Sequence, residues 1–209
     1  MTTLATMKAQ IANDIERSDL TSEIATAISK AIGQYQTTRF FFNEARVEFS
    51  TVAGQSSYTS SDDADIGTLM EIDDAYVIVG GIVSRLHVIT PDRWEYLNDN
   101  SASTGEPYCY TWFAGAIRIY PVPSAIYTVR LHAHVSKAEP ASDGETGNVW
   151  MTYAYEVIRA AARKFLSAET TMDGEMTQSS EALEMDALTR LMARSSKITG
   201  TGIIRPTCW

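Results

Sequence analysis

The sequence predicts an α+β fold: a helical bundle formed by the N- and C-terminal segments, a β-rich insertion between them, and an extended C-terminal tail. Three observations predict it. Apolar residues recur at helical spacing near both ends of the chain. Between them the period falls to two, and glycines punctuate the runs. Helices and strands are grouped along the chain instead of alternating, which fits α+β and not a parallel α/β sheet. The expected divisions are 1–46, N-terminal helices of the bundle; 47–140, the insertion; 141–195, C-terminal helices; and 196–209, the tail.

Met7, Ile11 and Ile15 stand at i, i+4, i+8, so helix is expected from about Thr3. Arg17-Ser18-Asp19 interrupts it, and Ser18 or Asp19 can cap the next helix. That helix carries the stripe Leu20, Ile24, Ile28, Ile32 and Tyr35, with small Ala25, Ala27 and Ala31 admitting a close neighbour. Val47, Phe49 and Thr51 then alternate with Glu48 and Ser50, and Gly54-Gln55 leads to Ser57-Tyr58-Thr59, which reads as a hairpin. Gly80-Gly81 between Tyr76–Val79 and Ile82–Leu86 signals a second hairpin. Thr90-Pro91 opens a short helix to about Leu97, with Thr90 as cap and Pro91 at the first helical position. Ser101 to Gly105 reads as a loop. Tyr108–Phe113 and Ala116–Tyr120 are strands around Gly115, and Tyr127–Val135 places Tyr127, Val129, Leu131, Ala133 and Val135 on one face. Helix returns near Asn148 and runs from Val149 to Ala168 on Ala154, Val157, Ile158, Ala161, Ala162 and Phe165. Asp173-Gly174 marks a turn, and a last helix spans about Glu175 to Arg194. Gly200, Gly202 and Pro206 leave the end without a helical period.

The chain has 209 residues and a net charge of −9. A nucleic-acid binder needs a basic surface to displace phosphate counterions, so tight DNA or RNA binding is not expected. An acidic wall past which DNA slides is compatible. The two cysteines, Cys109 and Cys208, are too few for a disulfide framework and read as free thiols. Met1-Thr2-Thr3-Leu4 has no basic region followed by an apolar run, and no stretch approaches the roughly 18 apolar residues of a membrane span. A soluble protein made in a cytoplasm is expected.

No catalytic motif stands out, and no enzyme, cofactor or metal is expected. His132-x-His134 could offer two ligands from one strand face, but no third accompanies them at a motif spacing. Both read as solvent-facing. Asp62-Asp63-x-Asp65 and Asp73-Asp74 lack the later glutamate of a calcium loop and read as acidic loops in water. Gly80-Gly81-Ile82 sits between strands, so no helix follows to cap a phosphate. The aromatics Phe40, Phe41, Phe42, Tyr108, Tyr110 and Trp112 are expected in a sheet core or a subunit interface; a sugar or peptide platform is the other possibility.

Charge is unevenly spread. Val47 to Ser84 holds seven acidic residues and no Lys or Arg, whereas Ala187 to Trp209 holds four basic residues and no acidic one. A basic tail with Ile203, Ile204 and Trp209 as apolar anchors suits docking on an acidic partner.

The run from Tyr35 to Glu44, with Arg39 and the three phenylalanines, resembles the segment closing the second helix in tailed-bacteriophage head-to-tail adaptor (connector, portal-adaptor) proteins. Phe49 to Tyr58, Gly105-Glu106-Pro107-Tyr108, Ile117 to Pro123, Asn148-Val149-Trp150 and the final Trp209 resemble the same family, over most of the chain from Leu20. The resemblance implies a non-enzymatic virion protein of the neck, below the portal. It implies a homo-oligomeric ring of about twelve copies built from heterologous contacts. Its partners would be the portal protein, neighbouring adaptor subunits and a downstream tail or neck protein, with DNA only as cargo in the lumen and no membrane. Lys197, Ile203, Ile204, Arg205 and Trp209 would form the portal-docking arm. Two alternatives are a carbohydrate- or peptide-binding β module using Tyr108, Tyr110 and Trp112, and a hydrolase using the acidic loops.

Overall fold

The computed structural model describes residues 2–100 and 103–199. In chain order the elements are α1 (Leu4–Asp14), α2 (Thr21–Gln36), β1 (Glu44–Ser50), β2 (Ser57–Tyr58), β3 (Leu69–Val79), β4 (Ile82–Val88), α3 (Pro91–Asn100), β5 (Thr104–Gly105), β6 (Cys109–Phe113), β7 (Ala116–Tyr120), β8 (Val122–Pro123), β9 (Thr128–Val135), α4 (Val149–Tyr153), α5 (Tyr155–Leu166) and α6 (Gly174–Thr199). The α+β expectation holds. The chain divides into two compact units, one helical, from both chain ends, and one formed by Asn43–Ser136. Both limits of the β-rich unit lie a few residues N-terminal of the expected ones.

In the helical unit, α2 and α5 form the apolar centre. Ile24, Ile28, Ile32 and Tyr35 of α2 are buried with Val157, Ile158, Ala161 and Ala162 of α5. Each buried isoleucine contributes about 1.5–3 kcal/mol relative to exposure. Met7 and Ile11 of α1 complete this core, and Thr3 caps α1 through a reciprocal box with Thr6. The expected cap of α2 is not formed. Leu20 occupies the cap position without a side-chain bond, because Asp19 is held by Arg17 through two 2.7 Å contacts. That guanidinium draws the Asp19 carboxyl down to about 2.

The helix expected over Val149–Ala168 is broken at Ala154, whose φ of −112° and ψ of 13° separate α4 from α5. Asn148 caps α4 by accepting from the Trp150 N–H at 3.0 Å. After α5 a π-helical turn, Ser167–Thr171, ends at Met172 in the left-handed region, φ 53°. There α6 folds back along α5. It runs through Thr199, five residues beyond the expected Arg194, so Lys197 is helical and not part of an extended tail.

The β-rich unit holds a seven-stranded sheet of order β1-β9-β3-β4-β6-β7-β2, antiparallel except for the β4–β6 pairing. Beside it lies a two-stranded parallel pair, β5-β8. The hairpin expected between Val47 and Thr59 is not formed. Instead β1 pairs with β9, from Glu44↔His134 to Ser50↔Thr128, and β2 pairs with β7. The Gly80-Gly81 hairpin is present, with φ of 56° and 85° at the two glycines, values a side chain would oppose. Thr90 accepts from the Arg93 N–H at 3.3 Å and opens α3, as expected. Val47, Phe49, Val77, Leu86, Tyr110, Ile117, Val129 and Leu131 fill the core under the sheet. Asp73 and Asp74, expected in a loop, lie within β3.

Candidate interaction surfaces

The expected aromatic surface is largely consumed by the two cores. Phe40 and Phe42 are buried in the helical unit, where Phe42 stands edge-on to Trp150 at 5.4 Å and stacks on Tyr153 at 5.7 Å. Phe41 is half-buried and lies 5.1 Å from the Arg194 guanidinium. In the β-rich unit Tyr110 is only 5% exposed, and Trp112 is half-buried with its indole N–H unbonded. Tyr108 precedes β6, half-exposed, edge-on to Tyr120 at 5.9 Å. Tyr108, Tyr110 and Trp112 therefore present no shared flat platform for a sugar. Phe41, Tyr108 and Trp112 are the expected interface aromatics that are not fully buried.

The histidines separate in the same way. His132 is exposed, with its ring 5.5 Å from that of Tyr76. His134, expected in solvent, is 3% exposed and faces the Asn43 amide at 3.4 Å. His134 stands between Glu44 of β1 and Glu71 of β3, beside a register shift between Leu69 and Glu71, a local feature that residue spacing does not reveal. Among the described residues no group of three or more His, Cys, Asp or Glu side chains could hold a metal. Asp62 is tied into its loop: it accepts from the Gln55 side chain at 2.7 Å and the Thr59 N–H at 2.8 Å, which lowers its pKa. Burial raises the Cys109 thiol, so it is a poor nucleophile.

The solvent face of the sheet carries a ladder of charges that the sequence did not single out. Arg130 of β9 donates to Glu48 of β1 at 2.5 Å, Arg46 lies 3.0 Å from the same carboxylate, and Arg85 of β4 bridges to Asp74 of β3. The bond from Arg130 is the main cause of the lowered Glu48 pKa. Such cross-strand pairs fix register more than they add stability at an exposed face.

On the helical unit, α6 is long but buries few apolar residues. Of its large apolar side chains Leu191 is buried, whereas Leu183, Met185, Met192 and Ile198 are exposed. Leu191 packs in the core, with Met176, Ala187 and Leu188 partly buried against that core, and polar contacts add to these. Glu184, 5% exposed, accepts from the Tyr35 hydroxyl at 2.5 Å and from Lys164. Ser195 accepts from the Phe41 N–H at 3.2 Å. Burial, with this bond to Glu184 second, pushes the Tyr35 phenol well above its ordinary value. Beside α6 runs a groove of about 510 Å³ lined by Asp14, Arg159, Arg163, Leu183, Asp186 and Arg190 among others. Arg159 grips Asp14 there at 2.7 and 2.8 Å. The expected arm residues Ile203, Ile204, Arg205 and Trp209 lie outside the described residues. Lys197 sits in the last turn of α6, where a cation complements the negative helix end.

Among the described residues this geometry offers surfaces for protein contacts. Residues 2–205 match the family described as SU10 adaptor protein. The chain belongs to that family. It is therefore a bacteriophage adaptor protein, a structural component of the virion. No curated protein matches it, and no helix among the described residues is long and apolar enough to cross a membrane.

Proposed function

We propose that this adaptor protein works as a homo-oligomeric ring in the virion neck. It docks on the portal protein above and on a tail or neck protein below, and DNA passes through its lumen. The observation that carries the reading is the family match over nearly the whole chain. Two physical features support it. The last turns of α6 carry Arg190, Arg194 and Lys197, and ten further residues with Ile203, Ile204, Arg205 and Trp209 follow the helix. A short segment with apolar anchors and no acidic residue suits an arm that docks on an acidic groove. A charge of −9 per subunit makes any ring of this chain strongly negative, and a lumen of that same sign repels DNA instead of trapping it.

Electron micrographs of the purified chain mixed with the portal protein of the same phage test the reading. Rings seated coaxially on the portal are the expected result. A chain that leaves the portal bare at micromolar concentrations of both proteins contradicts it.

A further inference from the structure

β1 and the first half of β4 are both open sheet edges, each with charge on its solvent face. The outer strand β1 carries Glu44, Arg46 and Glu48 on its solvent face, charges that disfavour strand pairing except with a partner of matching charge. β4 stands fourth in the strand order, yet β6 pairs with it only at His87 and Val88. Along Ile82–Leu86 no strand among the described residues covers its outer side. All of β4 except Leu86 is exposed, with Ile82 at 71% and Val83 at 51%, and it contains neither lysine nor proline.

The hydrogen-bond phase of both edges is fixed. The two-residue Gly80-Gly81 turn makes Val79↔Ile82 the closing pair, so Ile82, Ser84 and Leu86 bond to β3. The N–H groups of His87 and Ile89 donate to Tyr108 and Tyr110, on the opposite side. Val83 and Arg85 therefore direct their backbone groups outward. On β1 the Thr51 N–H donates to Tyr127 and the Asn43 carbonyl accepts from Val135, so Arg46 and Glu48 direct theirs outward.

We infer that β4 of one copy pairs antiparallel with β1 of a second copy, Glu44 opposite Arg85 and Val47 opposite Ile82. Strand direction supports this occupant. β1 and β3 run one way and β9 and β4 the other, so a second copy moved sideways along the sheet brings β1 antiparallel to β4. Side-chain faces agree as well. Glu44 and Arg46 meet Arg85 and Val83 on the solvent face, while Ala45 and Val47 meet Ser84 and Ile82 on the core face. The open stretch ends where β6 joins at His87, and β1 begins directly after a turn at 41–43, so the incoming strand starts where the site starts. Pairing β4 with another β4 would make a two-fold contact that closes on itself and cannot propagate into a ring. Because the two edges differ, the contact is head-to-tail and propagates, as closure into a ring requires. The inference rests on the ring reading and names the contact that closes it.

Cysteine pairing tests it in a Cys208→Ser background. Within one copy positions 45 and 84 lie three strand spacings apart, about 14 Å, too far for a disulfide. Oxidised Ala45→Cys/Ser84→Cys chain is expected to run as dimers, trimers and higher multimers on a non-reducing gel, and each single variant as monomer. Val83→Pro removes one outward N–H and leaves the β3 ladder intact. It is expected to raise the concentration for half-association at least about tenfold, with an unchanged melt. Should that variant fail to fold, Val83→Lys, with its backbone intact, decides by the same shift. Dimers from Ser84→Cys alone, or no ladder from the pair, overturn the inference. Rings that persist in both Val83 variants also overturn it and leave the adaptor reading standing; a wild-type chain monomeric with and without portal removes both.

Discussion

Two helices pack on α5 by different means. α2 presents Ile24, Ala27, Ile28, Ala31 and Ile32, an apolar stripe that excludes water and tolerates small adjustments. α6 spans 26 residues, and its buried positions include Ser180, Glu184 and Ser195. Apolar contact is non-directional, whereas a hydrogen-bonded carboxylate between Tyr35 and Lys164 has one geometry. α2 therefore holds the unit together, and α6 is held at a defined register and azimuth. The consequence reaches the surface. The clasp fixes the azimuth of α6, and so the directions in which its exposed Leu183, Met185, Met192 and Ile198 meet solvent, and fixes where its last turn ends.

The comparison is broken most strongly at Glu184. Glu184→Ala leaves Lys164 and the Tyr35 hydroxyl without their acceptor, and is expected to cost about 3–5 kcal/mol in urea unfolding. The triple change Glu184→Leu/Lys164→Met/Tyr35→Phe removes both charges and the hydroxyl that would be left without an acceptor, and is expected to be nearly neutral in stability. A loss equal to that of the single variant would show that the clasp is more than a local charge pair. Next comes Ile28→Ala in α2, expected to cost about 2–5 kcal/mol through lost burial and a cavity, with no pH dependence of its own. Ser195→Ala leaves the Phe41 N–H without its acceptor and is expected to cost about 1–3 kcal/mol.

Alkaline titration sharpens the same contrast. The Tyr35 pKa is raised in the fold, so the folded state keeps the proton that an unfolded tyrosine loses near pH 10. The contribution is complete below pH 10 and declines as pH rises above it. Tyr35→Phe is expected to flatten the loss of melting temperature above pH 10, and an unchanged slope would place that loss elsewhere. Leu183→Ser, on the outer side of α6, is expected to change stability by less than about 0.5 kcal/mol.

Much of this was legible along the chain, and the gaps share a cause. The α2 stripe, the Gly80-Gly81 hairpin and the Thr90-Pro91 helix start depend on neighbours within a few residues, and each is present. The partner of β1 depends on Thr128–Val135, some eighty residues away. Alternation at Val47 and Phe49 identifies a buried face and says nothing of which strand lies beside it. The clasp was invisible for the same reason, since Glu184 at a helical polar position looks solvated until Tyr35 and Lys164 are brought to it. The aromatic runs are expected in a sheet core or a subunit interface; tertiary packing instead buries Phe40 and Phe42 in the helical core and leaves Phe41 half-buried beside Arg194. For the arm, α6 continues through Ser195–Thr199, past the expected border, although Ser, Ile and Thr are weak helix formers; the bond from the Phe41 N–H to Ser195 is a tertiary contact that spacing does not show.

Truncation after Thr199 tests the central claim most directly, because it separates a folded body from the segment proposed to dock. Co-sedimentation with the portal protein, alongside a thermal melt, is the measurement. The account expects the melt to stay within a degree or two of the full chain while portal binding is lost. A truncated chain that binds the portal as tightly as the full one contradicts it.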